Sequence, residues 1–283
     1  MQDSYTYCEA LVRAGDRDRF LASLFAPPEH RPAIFALYAF NVEIARVREV
    51  VQQSLAGEIR LQWWSDVLGV EPRGEPQGHP VAAALLAAAA KYRLDRGRLL
   101  ALIDARRFDL YNEPMHTLAD FEAYSDAAAS GLISLCAQIL DNGGETGTAK
   151  LSHHAGISQA IAGLLGAFAL HASRGQLYLP LELLRRHGAE REALEHKDAS
   201  VAVRAALAQF RLIARQHLER ARELSRTAPS HLMPAYLPVA LAGPTLARME
   251  RSDYDPFAPV EIPAWRRQWL IWRAARRPDR IFC

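Results

Sequence analysis

The sequence predicts an all-α protein folded as one domain, residues 1–283. Three observations predict it. Apolar residues recur at helical spacing in nearly every segment between breakers. No stretch alternates apolar and polar residues as a half-buried strand does. Glycine and proline gather at a few points, such as EPRGEPQGHP (71–80) and DNGGETG (141–147), and so delimit long segments. A chain of 283 residues can bury a large core, with helices packed round a central space.

Pro32 suits the first turn of a helix whose apolar residues run through Phe35, Leu37, Tyr38, Val42, Ile44 and Val47. A second helix covers 58–68, with Trp63 and Trp64. After the 71–80 loop come helices at 80–92 and 95–110. Thr117 with Asp120 three residues on resembles a capping box opening a helix that runs to about Leu140. One long helix then spans roughly 148–172, and Gly175 and Pro180 punctuate the segment beyond it. A break near 187–199 precedes helices at about 200–226 and 229–250. The segment 252–263 is an irregular connector, and a last helix runs from Ala264 to about Arg276.

Composition excludes several classes. Charged residues make up 23% of the chain, and the net charge of +2 argues neither way on nucleic acid; no such partner is assigned. Cys8, Cys136 and Cys283 are far apart and form no CxxC pair, so neither a zinc ribbon nor a disulfide framework is expected. The longest apolar run, VAAALLAAAA at 81–90, falls well short of the ~20 residues a spanning helix needs. The first twenty residues carry mixed charges and no apolar core, unlike a signal or transit peptide, and imply a cytoplasmic location.

Positions four apart share a helix face. Asn41, Ala45 and Glu49 form one such line, with Tyr38 and Val42 beside it; Gly163, Ala167 and His171 form another. Two helices facing each other across a cavity make a recurrent enzyme plan. There, Asp and Asn oxygens hold Mg²⁺ ions, and these bind a diphosphate. Here Ala45, Arg46 and a lone Glu49 stand where such carboxylates would be sought, so no metal set is assigned.

The chain resembles the squalene/phytoene synthase family along almost its whole length. The resemblance rests on FALYAF (35–40), His79–Pro80, LIDARRFDL (102–110), LADFEAYSDAAASGLISL (118–135), AGISQAIAGLL (155–165) and RGQLYLP (174–180). It implies an isoprenoid synthase fold. Active members join prenyl diphosphates with Mg²⁺. Their first acidic motif falls at positions matching Ala45, Arg46 and Glu49, and the Asn, Arg and Asp of their second at Gly163, Gly166 and Ala167. Further acidic residues match near His171 and Ala172, so only Arg174 and Tyr178 remain of that polar wall. FNVEIARVREVV with LQWW, HASRGQLYLPLELLRRHG and WLIWRAA resemble one branch in particular. That branch lacks the aspartate motifs and includes a mitochondrial assembly factor for respiratory complex I. The resemblance thus implies a non-catalytic role in assembling that complex or in handling an isoprenoid or lipid. The alternative it implies is a prenyltransferase with an altered site, in which case Mg²⁺ returns as cofactor.

Several residues carry two readings. Ala45, Gly163 and Ala167 either let helices pack closely or keep a pocket open for an apolar ligand, lined by Tyr38, Val42 and Leu132. Glu49 either pairs with Arg46 or Arg48 or contacts a ligand. His171 reads as an interior or rim histidine, and Arg174 and Tyr178 as phosphate contacts or a helix-end cap. His153 and His154 are adjacent and point about 100° apart on a helix, a poor chelate. Asp104 and Asp109 are structural. From residue 264 onward, six arginines and one aspartate accompany Trp265, Trp269 and Trp272 on one face. That helix (263–283 with its flanks) either packs its tryptophans on the core or touches an anionic membrane or a protein partner, a respiratory-complex subunit or the inner membrane being the cases implied.

Overall fold

The computed structural model describes residues 1–51, 53–69 and 78–283. Among them the secondary structure is helical, with no strand. The helices are α1 (Gln2–Gly15), α2 (Arg17–Ser23), α3 (Arg31–Ala45), α4 (Val47–Val50), α5 (Ser54–Leu68), α6 (Pro80–Tyr92), α7 (Arg96–Phe108) and α8 (Leu118–Ser125). A π-helical turn, Asp126–Ser130, leads into α9 (Gly131–Leu140). Then come α10 (Ala149–Gly166), α11 (Phe168–Ser173), α12 (Leu181–Arg186), α13 (Arg191–Glu195) and α14 (Val201–Ser225). A 3₁₀ segment, Ser230–Leu241, precedes α15 (Ala242–Met249), and α16 (Ala264–Arg276) closes the order before a 3₁₀ turn at Pro278–Arg280. Among the described residues, none is long and apolar enough to cross a membrane.

The expected elements are present, and the Thr117–Asp120 capping box is made in both directions. Five points differ. Helices α1 and α2 precede the first one expected; Asp16 starts α2 by accepting the Arg19 amide at 3.0 Å. The opening helix stops at Arg46 (φ −88°, ψ −3°) and resumes as α4. The helix from Thr117 is interrupted by the π turn. The segment expected as one helix over 148–172 is jointed at Ala167 (φ −95°, ψ 9°). The segment 229–250 is 3₁₀ in its first half, because Pro234 and Pro238 lack the N–H groups an α-helical ladder requires there. Most of the loop expected at 71–80 lies outside the described residues.

The chain divides into two compact units. The first comprises Met1–Tyr111, Gly131–Ala149 and Ala228–Pro238. Its centre is α3, of whose 15 residues 11 are buried. A helix apolar on all sides needs neighbours on all sides, and α1, α2, α6, α7 and α9 supply them. Phe35 stacks on Phe20 at 5.7 Å, and Phe40 meets Trp64 edge-on at 4.9 Å. Gly143 (φ +81°) abuts the Tyr92 carbonyl, where both the backbone angle and the close approach exclude a side chain.

The second unit comprises Asn112–Ser130, Lys150–Thr227 and Val239–Cys283. Its longest helix, α14, buries Val203, Ala206, Leu207, Phe210, Ala214, Leu218 and Ala221, a stripe of helical spacing. Phe210 meets Phe121 of α8 at 4.8 Å. Helix α10 lies against the π turn at Gly156, and the Ser130 hydroxyl donates to the His153 carbonyl at 3.1 Å. A Cβ at 156 would sit inside 3.0 Å of the Ser130 amide nitrogen, Cα and Oγ. Backbone cannot retreat as a flexible side chain can. Gly156→Ala is therefore expected to cost about 1–3 kcal/mol of unfolding free energy, read from urea denaturation; an unchanged midpoint would refute the close approach.

Candidate functional site

Five of the residues singled out from sequence lie in the first unit. Tyr38 is buried at mid-α3. Its hydroxyl is hydrogen-bonded to the Cys136 thiol, and the Arg19 guanidinium lies 5.7 Å from its ring. Burial pushes both groups up, Tyr38 well above the usual phenol range and Cys136 to about 12. Asn41 is also buried, and its Oδ1 has no hydrogen-bond partner among the described residues. Ala45 ends α3 half-buried. Arg46 and Glu49 are exposed and pair across the α3–α4 joint at 3.8 Å, which is the salt-bridge reading of Glu49. An exposed pair of this kind contributes ~0–1 kcal/mol.

Beside this stretch the first unit holds a cavity of about 370 Å³. Val42, Val47, Val50, Trp63 and Trp64 form its apolar wall; Glu43, Arg46, Arg60 and His79 face it as polar groups. Of the expected lining, Val42 and Arg46 belong to this cavity. Glu43 is the residue that sequence reasoning passed over. The signal was present: it is the one charged side chain between Arg31 and Arg46, inside an otherwise apolar run. The His79 ring caps α6 by accepting the Ala82 amide at Nδ1, 3.4 Å away. That places the proton of the neutral ring on Nε2, which lies 3.4 Å from Glu43 Oε2. Burial lowers His79 and raises Glu43 to about 7, with Arg60 pulling Glu43 the other way. The cavity thus combines an apolar wall, two guanidinium groups and a carboxyl that titrates near neutrality. It suits an amphipathic molecule with an acidic head.

The titration has a consequence for stability. The folded protein holds the Glu43 proton more tightly than the unfolded chain, whose carboxyl titrates near 4.5. This group's contribution is therefore full below pH 4.5 and is lost as the pH rises to about 7. Unfolding free energies of wild type and Glu43→Gln measured from pH 4 to 8 should diverge by roughly 1–3 kcal/mol across that window, the wild type losing ground to the variant. Parallel curves would show that Glu43 ionises as it does in the unfolded chain.

The other five residues lie in the second unit. A Cβ at Gly163 would meet nothing within 4 Å, so close packing does not demand glycine there. At Gly166 a Cβ would sit in ordinary contact, 3.7 Å from Thr245 Cγ2. Ala167 forms the joint. Its amide donates to the Gly163 carbonyl and its carbonyl accepts from the His171 amide, each at 3.0 Å, so the line of three survives the break. The His171 ring meets buried Tyr178 edge-on at 5.0 Å, and Tyr178 lies 5.8 Å from Tyr124. Arg174 is exposed just past the end of α11.

The residues present do not fit the Mg²⁺ ions that the resemblance associates with active synthases. Magnesium requires hard oxygen donors. Ala45, Gly163, Gly166 and Ala167 offer no side-chain donor. Arg46 brings a cation and occupies the Glu49 carboxylate.

A second group was undervalued in the sequence. His153 and His154, expected to point apart on α10, instead bring their rings within 5.1 Å, and His217 of α14 joins them: His154 Nδ1 and His217 Nδ1 are 3.0 Å apart, and the His153 and His217 rings 6.0 Å. Burial, then the neighbouring imidazoles, lowers His217 to about 4; burial, His153 and Arg220 lower His154. Only the tertiary approach of His217 to His154 could bring in the third ring, 63 residues away in sequence.

Comparison with known proteins gives the family and the fold. The chain is similar to the human protein "NADH dehydrogenase (ubiquinone) complex I, assembly factor 6", 30% identical over 253 residues, covering 89% of this chain and 76% of that one. It is 25% identical to the presqualene diphosphate synthase of Sinorhizobium fredii over 234 residues, 80% of this chain and 83% of the relative. Among solved structures, a dehydrosqualene synthase in complex with ligand superposes with a TM-score of 0.83 at 16% identity, covering 98% of this chain and 97% of that one. A squalene synthase from Alicyclobacillus acidocaldarius superposes with a TM-score of 0.76 at 23% identity, covering 90% and 96%. These likenesses show an isoprenoid synthase fold. The squalene/phytoene synthase family model matches residues 12–273, and the chain belongs to that family.

Proposed function

We propose that this protein keeps the synthase fold without prenyl transfer and serves the assembly of the respiratory NADH dehydrogenase. The observation that carries this reading is the loss of oxygen donors at both motif positions at once. Ionising an allylic diphosphate leaves a highly charged leaving group that several Mg²⁺ ions must neutralise, and one carboxylate already paired to Arg46 cannot assemble them. The similarity to assembly factor 6 over 89% of the chain supports the direction of the change. Deleting the gene in the organism that carries it should lower NADH:quinone oxidoreductase activity several-fold. Wild type and Glu49→Gln should restore it equally, since the carboxylate has no catalytic duty. Normal activity in the deletion strain sinks the assembly role. Pyrophosphate release and a condensed product from farnesyl or geranylgeranyl diphosphate with Mg²⁺, abolished in Glu49→Gln, would restore the prenyltransferase reading.

The same role calls for contact with a membrane surface, and α16 offers one. The side of α16 that faces the core is carried by Ile271 and Ala274. Trp265, Trp269 and Trp272 are 71%, 46% and 49% exposed. Arg273 lies 5.1 Å from the Trp269 ring and Arg276 5.6 Å from that of Trp272. Indole rings bordered by guanidinium groups suit the headgroup layer of an anionic bilayer. The full chain should co-sediment with vesicles containing anionic phospholipid and far less with neutral ones. Replacing the three tryptophans by alanine should weaken binding at least tenfold while leaving the fold intact; undiminished binding by that variant removes α16 as the contact.

A further inference from the structure

We propose that His153, His154 and His217 bind a late first-row divalent cation, Zn²⁺ foremost, at a second kind of site unrelated to diphosphate chemistry. Each ring offers one nitrogen, and the three nitrogens lie within 4.8 Å of one another. Tetrahedral Zn²⁺ with Zn–N bonds of ~2.0–2.1 Å sets its ligand nitrogens about 3.4 Å apart. His154 and His217, at 3.0 Å, are already near that spacing. The remaining closure falls on His153, whose side chain is 40% exposed and has room to swing.

The surroundings are those of a ligand set. Asp126 Oδ1 stands 2.7 Å from His153 Nδ1, so the carboxylate takes one nitrogen and leaves the other for a metal. Glu122 Oε1 lies 3.9 Å from His217 Nε2, which favours the proton there and a bare lone pair on Nδ1, aimed at His154. A carboxylate behind an imidazole fixes its tautomer and raises the basicity of the coordinating nitrogen. Two of the three rings have one. Asp126 is positioned by the π turn, which Gly156 admits against α10; Glu122 comes from α8, which Phe121 locks to α14. The donor set is all imidazole, which suits Zn²⁺, Ni²⁺ or Cu²⁺ and disfavours Mg²⁺ and Ca²⁺. Three histidines also leave a fourth position for water or an exogenous ligand.

The test uses the full chain after treatment with a chelator. Zn²⁺ is titrated in competition with a chromophoric chelator, and Co²⁺ is titrated separately to read the visible d–d bands of a tetrahedral site. One equivalent of tight Zn²⁺ is expected. His154→Gln and His217→Gln should each weaken it by about 100-fold or more and abolish the Co²⁺ bands. Asp126→Asn, which touches no ligand nitrogen destined for the metal, should weaken it about 10–100-fold. Far-UV circular dichroism checks that each variant is folded, and Asp126→Asn keeps the test decisive if either histidine variant is not. Absence of stoichiometric Zn²⁺, or equal affinity in wild type, His217→Gln and Asp126→Asn, overturns the site and leaves His154–His217 as a hydrogen-bonded pair.

Discussion

The burial of α3 on all sides is the constraint on which the first unit depends. With 11 of 15 residues inside, the helix cannot shed a polar side chain to solvent in its middle. A polar group it carries is costly unless it is met locally. Tyr38 is met by Cys136 and by the Arg19 guanidinium. Glu43 faces the cavity and the His79 ring, and desolvation holds its carboxyl near neutrality. Asn41 Oδ1 is left without a partner among the described residues. The amphipathic character of the cavity is thus a by-product of packing a helix that is apolar nearly all round.

The emptied motifs have a common form. At 45 and 167 the residue is alanine, at 163 and 166 glycine, and both segments are jointed beside these positions, at Arg46 and at Ala167. Gly163 is instructive because open space surrounds its missing Cβ. A side chain would fit there sterically, so its absence is not dictated by packing within the second unit.

In that second unit, one close backbone contact has wide effects. Gly156 against Ser130 sets the depth of the π turn, the turn sets Asp126, and Asp126 orients His153. The apolar stripe of α14 independently delivers His217 to the same spot. π-helical turns inside longer helices often mark functional positions, and this one carries the carboxylate nearest the imidazoles.

Much was legible in the sequence. Helical period, the 80–92, 95–110 and 200–226 segments, the capping box and the family rest on local spacing and on motif order. So does the loss of the Mg²⁺ ligands, which is a matter of which side chains exist. Tertiary structure alone decided the rest. The joint at Arg46 carries no breaker residue, and the single Gly166 beside Ala167 does not by itself end a helix. The exposure of Trp265, Trp269 and Trp272 depends on which face of α16 found Ile271 and Ala274 a place in the core. Glu43 became a neutral-range acid only through desolvation, and the histidine cluster needed a ring from a helix 63 residues away. Sequence states which groups a chain possesses; their charge state and company depend on long-range packing, to which no local period points.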